Sequence, residues 1–146
     1  MKNSNVNAMN TPMEELKNLL LQSQYTCVVQ TKGSLLTSNE RGVKPLLDWL
    51  DGGLDLTEGY AADRVVGNGA AFLYVLLNVK EIYAHVLSRP AAHTLERHGI
   101  RFTYGTLTDA IQNRAKTGNC PIEDAVSGET DPNVALQKIR ARLKTL

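Results

Sequence analysis

The sequence has 146 residues, of which 42% are hydrophobic and 21% are charged, and its formal net charge is +1. This length and composition are typical of one soluble domain with its own core and exclude a disordered chain. The near-neutral charge argues against nucleic acid or an acidic membrane surface as a partner. No apolar run approaches the roughly 20 residues that span a bilayer, and because the N-terminal residues are polar we expect no secretory signal there.

The two cysteines point to a reducing compartment. Cys27 and Cys120 lie far apart in the chain and form no C-x-x-C pair. Two free thiols are the simplest interpretation, because disulfides persist mainly in oxidising environments. We therefore expect a cytoplasmic protein.

The first third of the chain predicts a helix, a hairpin and a second helix. Residues 1–12 are polar and are expected to form a flexible tail, but Thr11 and Pro12 also carry the signals of a helix start, and the helix continues to about residue 23. β-branched residues predict strands at 25–31 and 34–37, joined by a tight turn at Lys32-Gly33. A short helix at 43–50 follows and ends at Gly52-Gly53.

The remainder alternates strands with helices. We predict strands at 59–62, 81–87 and 100–104, helices at 70–77 and 89–98, one or two helical turns at 106–114, a glycine-containing loop at 115–131 and a terminal helix at 132–146. The alternation favours a single α/β domain over residues 13–146, built as a three-layer α/β/α sandwich around a mostly parallel or mixed sheet of about five strands. The hairpin adds an antiparallel strand at or near one edge.

Four segments carry a resemblance to a known family. They read RGVKPLLDWL, ADRVVGNGAAFLYV, IYAHVLSRPAAHTLERHGIRFTY and NRAKTGNCPIEDAV, and they lie between Tyr25 and Val126. With the order of the elements, they resemble a family of small uncharacterised bacterial proteins placed in the cytidine deaminase-like superfamily. The resemblance implies a cytidine deaminase-like fold, and it implies no assigned activity.

The zinc motifs of true deaminases are absent from the sequence. Such enzymes hold zinc with His or Cys followed by Ala-Glu at the start of one helix, and with Pro-Cys-x-x-Cys at the start of the next. The corresponding stretches here are Glu40-Arg41-Gly42-Val43 and Gly67-Asn68-Gly69-Ala70-Ala71. We therefore predict no metal site, no cofactor and no zinc-dependent deamination.

The turn Gly67-Asn68-Gly69 is the predicted ligand site. Ligands of α/β folds sit at the carboxyl ends of strands, and the free N–H groups of the following helix can hold a phosphate or carboxylate. Asn68 would add a directed hydrogen bond. The alternative is that the glycines only let the strand meet the helix closely.

Charged residues are expected to complete a basic pocket at this turn. Arg41 and Lys44 should lie across from Asp63-Arg64, with Asp63 orienting Arg64 or a ribose hydroxyl. The ligand would then be a small anionic molecule, such as a nucleotide or another phosphorylated metabolite. The alternative is an ion pair between Asp63 and one of the three cations.

Two further hypotheses stay open. Cys120 could be the nucleophile of a metal-independent enzyme, although no spacing pairs it with any of the three histidines, and a free thiol without a catalytic role is the simpler interpretation. The chain could also be a structural module, most simply a homodimer, whose pocket is vestigial.

Overall fold

The computed structural model describes residues 11–113, 115–116 and 118–146. The helices are α1 (Pro12–Gln22), α2 (Lys44–Asp51), α3 (Asn68–Leu76), α4 (Arg89–Arg97), α5 (Pro121–Ala125) and α6 (Pro132–Leu143). The strands are β1 (Cys27–Gln30), β2 (Leu35–Ser38), β3 (Tyr60–Val66), β4 (Glu81–Ser88) and β5 (Arg101–Thr108). Residues 1–10, most of the predicted flexible tail, lie outside the described residues.

The strands form one mixed sheet in the order β2-β1-β3-β4-β5. β1 is antiparallel to both β2 and β3, whereas β3, β4 and β5 are mutually parallel. The prediction of a mixed α/β sheet with the hairpin at one edge is therefore confirmed. β2 and β3 run in the same direction on either side of β1. The starts of α2 and α3, which follow these strands, therefore lie at the same end of the sheet, beyond the carboxyl ends of β2 and β3.

Two clusters of buried residues meet the sheet, and neighbouring strand residues alternate between them. Leu16 and Leu20 of α1 pack in one cluster with Ala62 and Tyr83. The larger cluster contains the adjacent strand residues Ala61, Ile82 and Ala84 together with the buried side chains of α2 to α6. Within it, α3 is buried from Asn68 to Tyr74.

Local signals explain the first helix. Thr11 Oγ1 accepts a hydrogen bond from the Glu14 N–H at 3.0 Å, and Glu14 Oε1 accepts one from the Thr11 N–H at the same distance. This reciprocal arrangement satisfies two donors that a helix start otherwise leaves free. The predicted start at Thr11-Pro12 is confirmed.

Two strands are longer than predicted. β3 does not stop before Asp63 but runs to Val66, and the Arg64 N–H continues the ladder by donating to the Thr26 carbonyl oxygen at 3.0 Å. Residues 106–108 belong to β5 rather than to a helical turn, because Thr106 to Thr108 pair with β4. In both places strand pairing outweighs a weak local signal.

Among the described residues, no helix combines the length and the apolar character that a membrane crossing requires.

Candidate functional site

The start of α3 already holds a carboxylate. α3 follows the carboxyl end of β3 with Gly67 as its cap residue, and its first turn contains neither a capping side chain nor an acid. The first N–H groups of a helix have no partner within the helix. The Gly69 N–H donates instead to Glu123 Oε2, on α5, at 3.0 Å. A group from the chain itself thus occupies the position at which an anionic ligand is predicted.

Both glycines of the turn permit this close approach of α5. A Cβ added at Gly67 would overlap the Glu123 carboxylate, and one added at Gly69 would lie 2.5 Å from Ile122 Cγ2. The alternative interpretation, in which the glycines serve close packing, therefore applies here. The element that they allow to approach is α5.

Gly69→Ala should lower the free energy of unfolding by about 1.5 kcal/mol, because the added methyl group pushes Ile122 out of its packed position. Urea unfolding measures this difference. Gly33→Ala is the control, since a Cβ at Gly33 meets nothing within 4 Å. Equal stability of the two variants would show that α5 moves aside without cost.

Asn68 connects α3 to α4. It is buried, and its Oδ1 accepts a hydrogen bond from Thr94 Oγ1 at 2.5 Å. Asn68 Oδ1 therefore already has a partner inside the protein, and the structure gives no support for the predicted hydrogen bond between this oxygen and a ligand.

Arg64 is committed to the end of α1. Its guanidinium donates to the carbonyl oxygens of Leu20, Ser23 and Tyr25 at 2.6, 2.7 and 2.7 Å. α1 has no basic residue in its last turn, so Arg64 supplies the positive charge that a helix C-terminus favours. These hydrogen bonds tie α1 to β3.

The other two predicted cations differ in availability. Lys44 Nζ lies 2.8 Å from Asp48 Oδ2 and 3.8 Å from Glu40 Oε1, so nearby acids engage it. Arg41 is exposed on the loop before α2 and forms no ion pair with any described residue. Of the predicted basic pocket, Arg41 is the cation that remains available.

Asp63 belongs to a polar cluster between the sheet and α3. Tyr74 Oη donates to Asp63 Oδ2 at 2.8 Å and lies 3.3 Å from Cys27 Sγ, and Cys27 stands directly opposite Asp63 in the β1–β3 pairing. The predicted ion pair between Asp63 and Arg41, Lys44 or Arg64 does not form. Asp63 and Arg64 are adjacent in a strand, so their side chains point to opposite faces.

Burial controls the protonation of this cluster. It raises the pKa of Asp63 to about 7, against the opposing hydrogen bonds from Tyr74 and from the N–H groups of Val65 and Arg64. Burial also raises the pKa of Cys27 and that of Tyr74 well above their ordinary values. Asp63 therefore changes charge near neutral pH while the thiol and the phenol stay protonated.

The sequence did not lead us to predict that Cys27 and Tyr74 belong to this cluster. The available signal was a tyrosine in an otherwise apolar helix, because a buried hydroxyl needs a hydrogen-bonding partner. An acid on the preceding strand was the natural candidate.

Cys120 has no catalytic partner in the described part of the chain. It precedes α5, is half-buried, and packs against the larger cluster. All three histidines are exposed, and none is hydrogen-bonded to its thiol. In residues 11–113, 115–116 and 118–146, no group of three His, Cys, Asp or Glu side chains could hold a metal ion.

Comparisons with known proteins give a family and a fold. A family model described as "TM1506: Domain of unknown function (DUF1893)" matches residues 15–143. No curated protein matches. A crystal structure of a DUF1893 family protein (TM1506) from Thermotoga maritima is 22% identical, with a TM-score of 0.77, and the match covers 100% of this chain and 92% of that one. At this identity the likeness shows a shared fold.

Proposed function

We propose that this chain, which belongs to the TM1506 family of domains of unknown function (DUF1893), is a binding domain for a small anionic molecule. The phosphate or carboxylate of the ligand accepts a hydrogen bond from the Gly69 N–H, in place of the Glu123 carboxylate. The observation that carries this proposal is the 3.0 Å hydrogen bond between Gly69 and Glu123, which supplies an oxyanion of the right charge at the start of α3.

The position of Glu123 on a different helix supports the proposal that a ligand can replace it. α1, α4 and α6 are capped by the adjacent residues Thr11, Ser88 and Asp131. α3 instead draws its acceptor from a residue 54 positions further along the chain. Because Glu123 lies on another helix, a ligand can replace it without unwinding α3.

The start of α2 supports a second contact. Its cap residue, Val43, has no capping side chain, and its first turn contains no acid. Arg41 precedes α2, lies at the same end of the sheet as Gly67, and is exposed. An anionic ligand at Gly69 that extends toward α2 meets Arg41, and a nucleotide or another phosphorylated metabolite has the chemistry for both contacts. Lys44, Asp63, Arg64 and Asn68 keep the internal partners described above.

Glu123→Gln should increase the affinity for the anion by about tenfold, because the ligand no longer competes with a negative charge held at the same amide. Isothermal titration calorimetry with inorganic phosphate, AMP and succinate measures the dissociation constants. Asp124→Asn is the matched control, since it removes an exposed charge from the adjacent position of α5.

The proposal requires that Glu123→Gln and Asp124→Asn differ. An equal gain in both variants would indicate a general loss of repulsion rather than competition at Gly69. Absence of binding for all three ligands in the wild-type protein and in Glu123→Gln would contradict the proposed function.

We further propose the finer fold assignment, a three-layer α/β/α sandwich of the cytidine deaminase-like kind. The strand order β2-β1-β3-β4-β5 and the two clusters on either side of the sheet support it. The proposal concerns the fold and not the reaction, because the starts of α2 and α3 carry neither His nor Cys. No observation favours Cys120 as a nucleophile, so catalysis by this thiol is not part of the proposal.

A further inference from the structure

β5 is an edge strand whose outer side pairs with no other described strand. It is eight residues long, pairs with β4 on its inner side, and ends the sheet. Residues 103–106 are exposed, and 46% of the Tyr104 surface is accessible. The unpaired N–H and C=O groups of such an edge form a template for another strand.

The composition of β5 does not protect this edge. From Phe102 to Thr108 the strand contains no charged residue and no proline, and aromatic or β-branched residues occupy most positions. Proteins that keep an edge strand monomeric usually place charges, prolines or bulges there. The opposite edge, β2, is only four residues long.

A groove lined by both apolar and charged residues accompanies the free edge. It lies between α4 and β5, and its lining includes Ala92, Phe102, Tyr104 and Leu107. The rings of Phe102 and Tyr104 stack with their centroids 6.5 Å apart. A strand that pairs with β5 therefore also covers apolar surface on the α4 side of the sheet.

We propose that a second copy of this chain occupies the edge, with the two β5 strands pairing antiparallel about a two-fold axis. A two-fold axis perpendicular to the sheet keeps the α4 helices of both copies on the same face of the sheet. It also requires that one residue near the middle of β5 faces the same residue of the second copy. Tyr104, near the middle of the strand, takes this position. The two Arg101 side chains then lie at opposite ends of the paired strands, which avoids repulsion.

The charges beside the groove are self-complementary under this symmetry, and they select a second copy over another partner. Arg89 and Glu96 of α4 both line the groove, seven positions or about two helical turns apart. Antiparallel placement of the two α4 helices brings Arg89 of each copy opposite Glu96 of the other. Arg89 Nε already bonds to Asp109 at 2.7 Å, which leaves its terminal nitrogens to donate across the axis.

Sedimentation velocity across a range of protein concentrations tests the dimer. Tyr104→Lys places two positive charges face to face and should weaken dimerisation by about 100-fold, since like charges at an interface cost several kcal/mol. Leu35→Lys is the matched control, because Leu35 is 50% exposed on the opposite edge strand, and it should leave the dimer unchanged. Circular dichroism verifies that both variants are folded.

A charge exchange tests the two-fold symmetry separately. In an Asp109→Asn background, Arg89→Glu and Glu96→Arg should each weaken the dimer by about fivefold, and the double variant should recover most of the loss. A wild-type chain that stays monomeric across the concentration range would overturn the proposal. So would a dimer that Tyr104→Lys leaves intact, that Leu35→Lys dissociates, or that the double exchange fails to restore.

Discussion

We expect Arg64→Leu to lower the free energy of unfolding by about 4 kcal/mol, because one guanidinium satisfies three carbonyl oxygens and hydrogen bonds to charged groups contribute about 1.5–3 kcal/mol each without adding fully. The carbonyl oxygens belong to Leu20, Ser23 and Tyr25 around the end of α1. Without Arg64 they lose their charged donor in a partly buried setting. Urea unfolding at neutral pH measures the loss.

Two variants separate this effect from a general loss of charge. Arg64→Lys keeps the charge but lacks the fork of donors, so its loss should fall between zero and that of Arg64→Leu. Arg140→Leu removes an exposed arginine that pairs with Asp51 at 2.6 Å, and it should cost no more than about 1 kcal/mol. A loss at position 64 no larger than that at position 140 would contradict the role of Arg64 in holding α1.

Asp63→Asn should stabilise the protein at pH 8 by about 3 kcal/mol and leave its stability at pH 4 nearly unchanged. An aspartate in an unfolded chain has a pKa near 3.9, whereas burial raises that of Asp63 in the folded protein to about 7. The folded state therefore binds the proton more tightly. The stability that this proton contributes is fully present below pH 4 and is lost as the pH rises through about 7.

The asparagine keeps the hydrogen-bonding pattern of the cluster. Its amide can accept from Tyr74 or donate to it, because either Tyr74 or Cys27 can be the donor in the contact between them. The full pKa difference corresponds to about 4 kcal/mol, and we expect less because Asp63 is only half-buried.

Urea unfolding between pH 4 and 8 tests this prediction, with Asp109→Asn, at a carboxylate that is 90% exposed, as the control. A wild-type protein as stable as Asp63→Asn at pH 8 would contradict it.

The sequence predicts those parts of the fold that local signals determine. Thr11 and Pro12 mark the start of α1, because a capping side chain and a proline in the first turn are local signals of a helix start. β-branched residues around a short turn mark the β1–β2 hairpin for the same local reason. The alternation of strands and helices then leads to the mixed sheet.

The rest depends on contacts that no local pattern marks. Asp63-Arg64 looks like the approach to a turn, yet pairing with β1 keeps both residues in β3. The partners of Arg64 are backbone carbonyls, which carry no sequence signature, and Glu123 meets Gly69 across 54 positions. Gly67 to Gly69 could therefore be identified as a place where an oxyanion fits, but not as one that the chain itself fills.

If the start of α3 exchanges Glu123 for an external anion, the N–H resonance of Gly69 reports the exchange. We would record ¹⁵N–¹H correlation spectra of the wild-type protein and of Glu123→Gln during titration with inorganic phosphate and with AMP. We expect a saturable shift of the Gly69 resonance in both proteins, at about tenfold lower ligand concentration in Glu123→Gln. A Gly69 resonance that stays in place in both proteins up to saturating ligand would contradict the exchange and leave Glu123 as a permanent cap of α3.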